Sequence, residues 1–258
     1  MTATGAAQGG FIDSCPMQQT IAAPQRDLRP LLALVATAAI GVFAWLAVST
    51  EFGHSLAAYD PAVTTWTVRM RHGLVTAVAW PLTHLGGTLG LTLLTLAVCA
   101  LLLLRGRREH ALVLAGAMIG SSSLTVLLKL VFARSRPAAS LLLGEPASSW
   151  AFPSGHAFNT GVFAGVLAGF VLFSTTAPAR KVLAATAACA AIVLVGLSRI
   201  YLAYHWLTDV LAGWSIALAW LCVVGVIVLT VRRRPRMLPA GGGPRAPAAG
   251  SGRPRDQA

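Results

Sequence analysis

The sequence predicts an all-α membrane protein, a polytopic helical bundle of six transmembrane helices with both termini in the cytoplasm. Hydrophobic residues make up 56% of the 258 residues and charged residues only 11%. The mean hydropathy of +0.71 is too high for an ordinary soluble domain. The apolar residues also fall into six runs, each close to the roughly 20 residues that a helix needs to cross a bilayer. The lipid bilayer is therefore the expected environment.

The first apolar run, about residues 31–48, begins too far from Met1 for an ordinary secretory signal and is predicted to be a retained signal-anchor helix. The other runs cover about residues 85–104, 110–132, 157–176, 182–198 and 206–231. We assign residues 29–234 to one membrane domain. The tails, residues 1–28 and the basic residues 235–258, lack periodicity and are expected to be disordered.

The net charge of +12 comes from basic residues in short clusters between the apolar runs and in the tails. Membrane topology explains this spacing better than nucleic-acid binding does, so no nucleic-acid partner is expected. The basic residues at the span ends are more numerous on the side of the termini. The positive-inside rule therefore places both termini in the cytoplasm of a multi-pass plasma-membrane protein.

Three segments are predicted to face outward, at residues 49–84, 133–156 and 199–205. In the first, Asp60 and Pro61 are typical of a helix start, which we expect to continue through Arg71. Nearby tryptophans suggest that this segment lies in the headgroup layer. An ordered loop without a chemical role is the alternative.

A cluster of cations follows the third span. Lys129 lies near its end, and Arg134 and Arg136 follow before Pro137. Cations in an outward loop run against the positive-inside bias. A phosphate ligand accounts for them, because guanidinium groups match phosphate oxygens and a lysine adds a point charge. Contact with anionic headgroups is the alternative for this stretch alone.

Pro153, Ser154, Gly155 and His156 stand immediately before the fourth span. Serine is a good helix cap, and the free amides of a helix start bind anions. Gly155 lets the backbone approach a ligand closely, and His156 in the first turn could donate a proton to a departing oxygen. The alternative is a simple capping turn with an interfacial histidine.

Ser198 and Arg199 end the fifth span, and His205 and Asp209 begin the sixth. Because His205 and Asp209 are four residues apart, they share a face on a helix, and the carboxylate can accept the second imidazole N–H. The other ring nitrogen is then free to act as a nucleophile. A structural His–Asp hydrogen bond that locks two helices is the alternative.

All three groups fall on the same predicted membrane face, although they are distant in sequence. Together they supply cations, a helix start, two histidines and one carboxylate. With no acidic cluster and no paired or metal-like cysteine spacing, we expect no metal, no other cofactor and no disulfide. The cysteines are Cys15, Cys99, Cys189 and Cys222. Metal-free phosphoryl transfer through a phosphohistidine fits this inventory, with His205 attacking and His156 protonating the leaving oxygen.

The same residues resemble the three signature motifs of the type 2 phosphatidic acid phosphatase superfamily, which also includes vanadium haloperoxidases and bacterial acid phosphatases. Eleven positions match in order and spacing. They are Lys129, Arg136, Pro137, Pro153, Ser154, Gly155, His156, Ser198, Arg199, His205 and Asp209. The six-span pattern resembles the bacterial membrane branch over about residues 31–231.

The resemblance implies a helical bundle with a phosphate pocket near the outer interface. It implies that Lys129, Arg136 and Arg199 bind the phosphate and that Ser154 and Gly155 add hydrogen bonds. His156 would be the general acid, and His205, oriented by Asp209, the nucleophile. Arg134 is not a signature position, and we expect it to affect substrate binding more than the chemical step.

The expected partner is a lipid phosphate in the bilayer, either a polyprenyl diphosphate, phosphatidylglycerophosphate or phosphatidic acid. The sequence does not discriminate among these lipids and predicts no oligomeric state. Two other functions stay open. One is a small transporter in which Lys129 and Asp209 pair along a pathway, which the missing inverted repeat disfavours. The other is vanadate-dependent peroxidase chemistry in the same pocket.

Overall fold

The computed structural model describes residues 27–232, and within this range the regular secondary structure is all helical, with no β-strand. The predicted tails and Cys15 lie outside the described residues, apart from residues 27 and 28. Two short 3-10 segments lie at Ser55–Tyr59 and Ala139–Leu141. The α-helices are α1 (Arg29–Phe52), α2 (Asp60–Arg69), α3 (Gly73–Leu85), α4 (Thr88–Leu104), α5 (Arg108–Phe132), α6 (Gly155–Leu172), α7 (Pro178–Tyr201) and α8 (Leu207–Arg232).

Five of these helices are long and apolar enough to cross a membrane singly: α1, α5, α6, α7 and α8. The pair α3 and α4, bent by 58° at its junction, qualifies as a sixth span when taken together. The predicted membrane bundle is therefore confirmed, with one difference. The second span was expected to be a single helix over 85–104, whereas α3 begins twelve residues earlier, inside the segment assigned to the outer surface.

The bend between α3 and α4 follows from two adjacent glycines. Gly86 packs so closely against α6 and α7 that a Cβ there would lie 3.1 Å from the Thr160 hydroxyl and would clash with Val195. A side chain at this position would push the junction away from both helices. The glycines thus let the chain turn where it meets the centre of the bundle.

Helix α6 is the central element, packed against α5, α7 and α8. Phe158 and Val162 on α6 are completely buried in the main apolar cluster. Small residues bring α6 and α8 together, since a Cβ at Gly213 would lie 2.8 Å from the Ser154 carbonyl and 2.9 Å from the Ala157 Cβ. Close approach of this kind is how membrane helices gain packing energy without a hydrophobic driving force. It sets the start of α6 directly against α8.

Candidate active site

Four helix ends meet at one end of the bundle, and these ends and the loops next to them carry all eight predicted site residues. Lys129 lies in the last turn of α5, and Arg199 lies in the last turn of α7. Ser154, Gly155 and His156 begin α6, Asp209 lies in the first turn of α8, and Arg136 and His205 lie in the adjoining loops. Their gathering follows from the alternating direction of consecutive spans.

His205 and Asp209 form a buried pair with at most 1% of each residue exposed. The His205 Nδ1 atom lies 3.3 Å from Asp209 Oδ2, which also accepts the Trp206 backbone N–H at 2.9 Å. His205 precedes the start of α8, so the expectation that both residues share a helix face is wrong. The turn before the helix makes the contact instead. An Nδ1 proton directed at the carboxylate leaves Nε2 unprotonated.

The environment of His205 favours its neutral form. Burial lowers the pKa of the imidazole well below its ordinary 6.5, and the positive charges of Arg136, Arg199 and Lys129 lower it further. A neutral imidazole with an unprotonated Nε2 is the form that can attack an electrophile. The site therefore holds a nucleophile that needs no deprotonation near neutral pH.

Arg136 is the cation nearest to this nitrogen. Its Nη1 atom lies 3.4 Å from His205 Nε2 and donates to the Tyr204 carbonyl at 2.5 Å. Its Nε donates to the Ser149 carbonyl at 2.7 Å. The Lys129 ammonium donates to the next carbonyl, that of Trp150. Backbone carbonyls of the loop before α6 thus orient two of the three predicted phosphate ligands.

Arg199 is 5% exposed and held from two sides. Its guanidinium donates to the Thr83 hydroxyl on α3 and lies 4.0 Å from the centre of the Tyr204 ring. Its Nε–H is buried and has no hydrogen-bond partner among the described residues. A buried donor of this kind is costly unless an acceptor reaches it, which suits a site for an anion.

Ser154 caps α6, as predicted, by accepting the Ala157 N–H at 3.5 Å. Its own N–H donates to the Asp209 carbonyl at 2.9 Å, which ties the second motif to the third. The space at Gly155 is limited, because a Cβ there would lie 3.0 Å from Thr125 Cγ2. His156 lies beside the junction of α3 and α4, where a Cβ at Gly87 would be 3.4 Å from its Nε2.

The structure corrects the interpretation of Arg134. Instead of extending the phosphate-binding cations, its guanidinium binds two carboxylates, Asp209 at 2.5 Å and Asp60 at 2.8 Å. It also donates to the Thr208 hydroxyl at 2.8 Å. The expectation that Arg134 acts chiefly on substrate binding therefore has no support from its contacts.

Sequence reasoning missed two residues of the site, Asp60 and Thr83. The helix predicted to start at Asp60 is present as α2, yet the Asp60 side chain makes no capping bond to α2. One signal could have identified it: the chain has only eight acidic residues, so any carboxylate on the motif face was a candidate partner for a buried arginine. Thr83 carries no comparable signal.

A groove of about 420 Å³ adjoins this end of the bundle, between α3, α4, α6 and α7. The lining residues nearest the site are Gly86, Thr160 and Val195. Thr160 lies one turn after His156 on α6, and Val195 lies one turn before Arg199 on α7. Apart from Thr160, whose buried hydroxyl has no partner in the described chain, the lining is apolar.

Residues 27–232 contain no group of three or more His, Cys, Asp or Glu side chains placed to hold a metal ion. Cys99, Cys189 and Cys222 are free thiols.

Comparison with known proteins places this constellation in a family. A family model for the PAP2 superfamily matches residues 110–233. Phosphatidylglycerophosphatase B of Bacillus subtilis (strain 168) is 32% identical over 161 residues, which are 62% of this chain and 78% of the relative. The resemblance noted from the three motifs is confirmed.

Two crystal structures have similar folds. One is a transmembrane PAP2-type phosphatidylglycerolphosphate phosphatase from Bacillus subtilis, with a TM-score of 0.68 and 28% identity, covering 77% of this chain and 98% of that chain. The other is LpxE of Aquifex aeolicus, with a TM-score of 0.50 and 25% identity, covering 66% and 94%. This chain therefore belongs to the PAP2 superfamily, as a multi-pass membrane lipid phosphatase.

Proposed function

We propose that this phosphatase removes the terminal phosphate of phosphatidylglycerophosphate at the extracytoplasmic face of the membrane, through a phosphohistidine on His205. The observation that carries the proposal is the unprotonated Nε2 of a neutral, buried His205, which lies within 3.4 Å of the Arg136 guanidinium at the centre of the cations. The choice of lipid rests on the similarity to phosphatidylglycerophosphatase B, whose name gives this lipid as its substrate.

In the first step, His205 Nε2 attacks phosphorus as the bond to the lipid oxygen breaks. His156 gives a proton to that oxygen, and the lipid alcohol leaves. In the second step, His156 takes a proton from water, which attacks phosphorus while the P–N bond breaks. The products are inorganic phosphate and the regenerated imidazole. Asp209 stabilises the positive charge on the ring while the intermediate exists.

The cations act on the phosphoryl oxygens. Lys129, Arg136 and Arg199 all lie near enough to His205 for their positive charges to lower its pKa. Preoriented positive groups stabilise the charge that develops on these oxygens without reorganising during the reaction. The start of α6, capped by Ser154 with Gly155 following, contributes backbone N–H groups to the same oxygens.

The groove beside the site accommodates one chain of the lipid. Lining residues extend along α7 from Val195 to Ala184, about 16 Å at 1.5 Å per residue. A phosphate held by Arg199 and His156 would leave its apolar chain next to Val195 and Thr160, where the groove begins. The proximity of the groove to the charged site supports a substrate with an apolar chain attached to its phosphate.

A substrate panel tests the choice of lipid. The purified protein, assayed in detergent with a chelator, is given phosphatidylglycerophosphate, phosphatidic acid and undecaprenyl diphosphate, and released phosphate is measured. We expect the highest kcat/KM with phosphatidylglycerophosphate. A higher value with undecaprenyl diphosphate would contradict the choice of lipid while leaving the chemistry intact.

A further inference from the structure

Behind the His205–Asp209 pair lies a second buried carboxylate, that of Asp60. This residue is 1% exposed, and its carboxylate accepts three hydrogen bonds. The Thr208 N–H donates at 3.0 Å, the Thr208 hydroxyl at 2.5 Å and the Arg134 guanidinium at 2.8 Å. A buried carboxylate is expensive unless it is paired in this way. Nothing in the proposed reaction uses Asp60 directly.

Asp60 fixes the start of the helix that carries Asp209. Thr208 is the second residue of α8, and its N–H is one of the helix-start amides that lack a partner within the helix. Asp60 supplies that partner from α2, 148 residues away in sequence. A carboxylate at this position also interacts favourably with the helix dipole.

Arg134 connects the two carboxylates. One nitrogen, Nη1, donates to Asp209 Oδ1 at 2.5 Å, and the other, Nη2, donates to Asp60 Oδ2. The opposite oxygen of Asp209 is the one that faces His205. Because one planar guanidinium holds both carboxylates, the rotation of the Asp209 carboxylate is set by Arg134.

The charges of these three groups also explain why a second carboxylate is useful. Arg134 alone would neutralise Asp209, and a neutralised carboxylate would stabilise a positively charged imidazole poorly. With Asp60 included, the Asp60–Arg134–Asp209 group carries a net charge of −1 facing His205. The imidazole becomes positive when the P–N bond forms, so this net charge matches the intermediate.

We propose that Asp60 and Arg134 are positioning residues for the phosphatase reaction, which orient Asp209 and keep the charge behind His205 negative. Neither side chain hydrogen-bonds a phosphate-binding cation, and neither lines the groove. The inference rests on the proposed role of His205 as the nucleophile. It assigns a chemical purpose to α2, which the three sequence motifs do not include.

A double-mutant cycle tests this inference in the full chain in detergent. Asp60→Asn should lower kcat about 10- to 100-fold, which is the effect of losing a residue that orients a metal-binding side chain in other enzymes. KM should change less than twofold. Asp60→Glu, which keeps the charge, should restore part of kcat. In an Asp209→Asn background, Asp60→Asn should have almost no further effect, because Asp60 acts through Asp209.

Thr64→Val is the matched control. Thr64 lies one turn after Asp60 on α2, is completely buried, and its hydroxyl has no partner among residues 27–232. The kcat of Thr64→Val should equal that of the unchanged protein. If Asp60→Asn lowers kcat by the same factor with and without Asp209, Asp60 has a merely structural role and the inference is wrong.

The same series separates the inference from the proposed function. If Asp60→Asn has normal kcat while His205→Ala is inactive, only the positioning role fails. If His205→Ala retains activity, the proposed nucleophile fails and the inference fails with it. A variant too unstable to assay is replaced by Arg134→Lys, which keeps the charge but loses the planar fork and should likewise lower kcat with KM unchanged.

Discussion

At the residue scale, the chemistry depends on the protonation state of His205. Burial and three neighbouring cations hold its pKa well below 6.5, so its imidazole should stay neutral as the pH falls through 6.5. An NMR titration of histidine-labelled protein, with His205→Gln identifying the signal, should show no protonation of His205 until the pH is well below 6.5. Protonation at or above pH 6.5 would contradict the described environment.

Arg136→Gln provides the directional control for this titration. Among the neighbouring cations, Arg136 lowers the pKa of His205 most, and its Nη1 atom lies 3.4 Å from His205 Nε2. Removing this charge makes the protonated imidazole less unfavourable, so the His205 pKa should rise towards its ordinary value.

The positions of the site residues could be predicted from the sequence where they belong to a short local motif. The motif residues could be grouped because each motif sits at a span end, and alternating spans bring such ends together. The scarcity of acidic residues made Asp60 a candidate partner of Arg134 but could not select it, because the contact depends on how α2 packs against α7 and α8. No periodicity or spacing in the sequence encodes that tertiary contact.

At the element scale, the groove along α7 makes a prediction about substrate selection. Ala191 lines the groove, whereas Ala190 is exposed and lies outside the lining. Ala191→Trp should lower kcat/KM for long-chain phosphatidylglycerophosphate at least about 10-fold. The expected cause is misplacement of the phosphate rather than lost hydrophobic energy, because the chain is already in an apolar solvent.

Two controls accompany the groove variant. Ala190→Trp adds the same side chain to the outer face of α7 and should leave kcat/KM unchanged. Hydrolysis of p-nitrophenyl phosphate, which has no apolar chain, should be equal in both variants. Equal activity of Ala191→Trp and Ala190→Trp on the long-chain lipid would show that the groove does not hold the substrate.

The elements themselves were predicted unevenly, for physical reasons. Long apolar runs such as α5 and α8 fix their own extent, and their bounds differ from the prediction by only a few residues. Helix α3 was missed because hydropathy identifies apolar runs but does not show that a bend joins two of them into one span. The structure shows that the chain is helical on both sides of Gly86 and Gly87, with the junction packed against α6 and α7.

At the scale of the whole molecule, orientation in the membrane is the open prediction. The excess of basic residues on the side of the termini predicts that the end of α8 faces the cytoplasm. A reporter enzyme that works only in the cytoplasm should therefore be active when it is fused after Arg236. Activity of an extracytoplasmic reporter at the same position would contradict this orientation and would place the site on the inner face.

The central claim is that phosphate is transferred to His205, and trapping the intermediate tests it most directly. In His156→Ala, p-nitrophenyl phosphate should still phosphorylate the enzyme, because its leaving group needs no proton, while hydrolysis of the intermediate slows about 100-fold or more. Alkaline quenching and peptide mapping should then find phosphate on His205. His205→Ala should carry no label and should lose at least about 10³-fold in kcat. Label on another residue, or undiminished hydrolysis by His205→Ala, would contradict the mechanism.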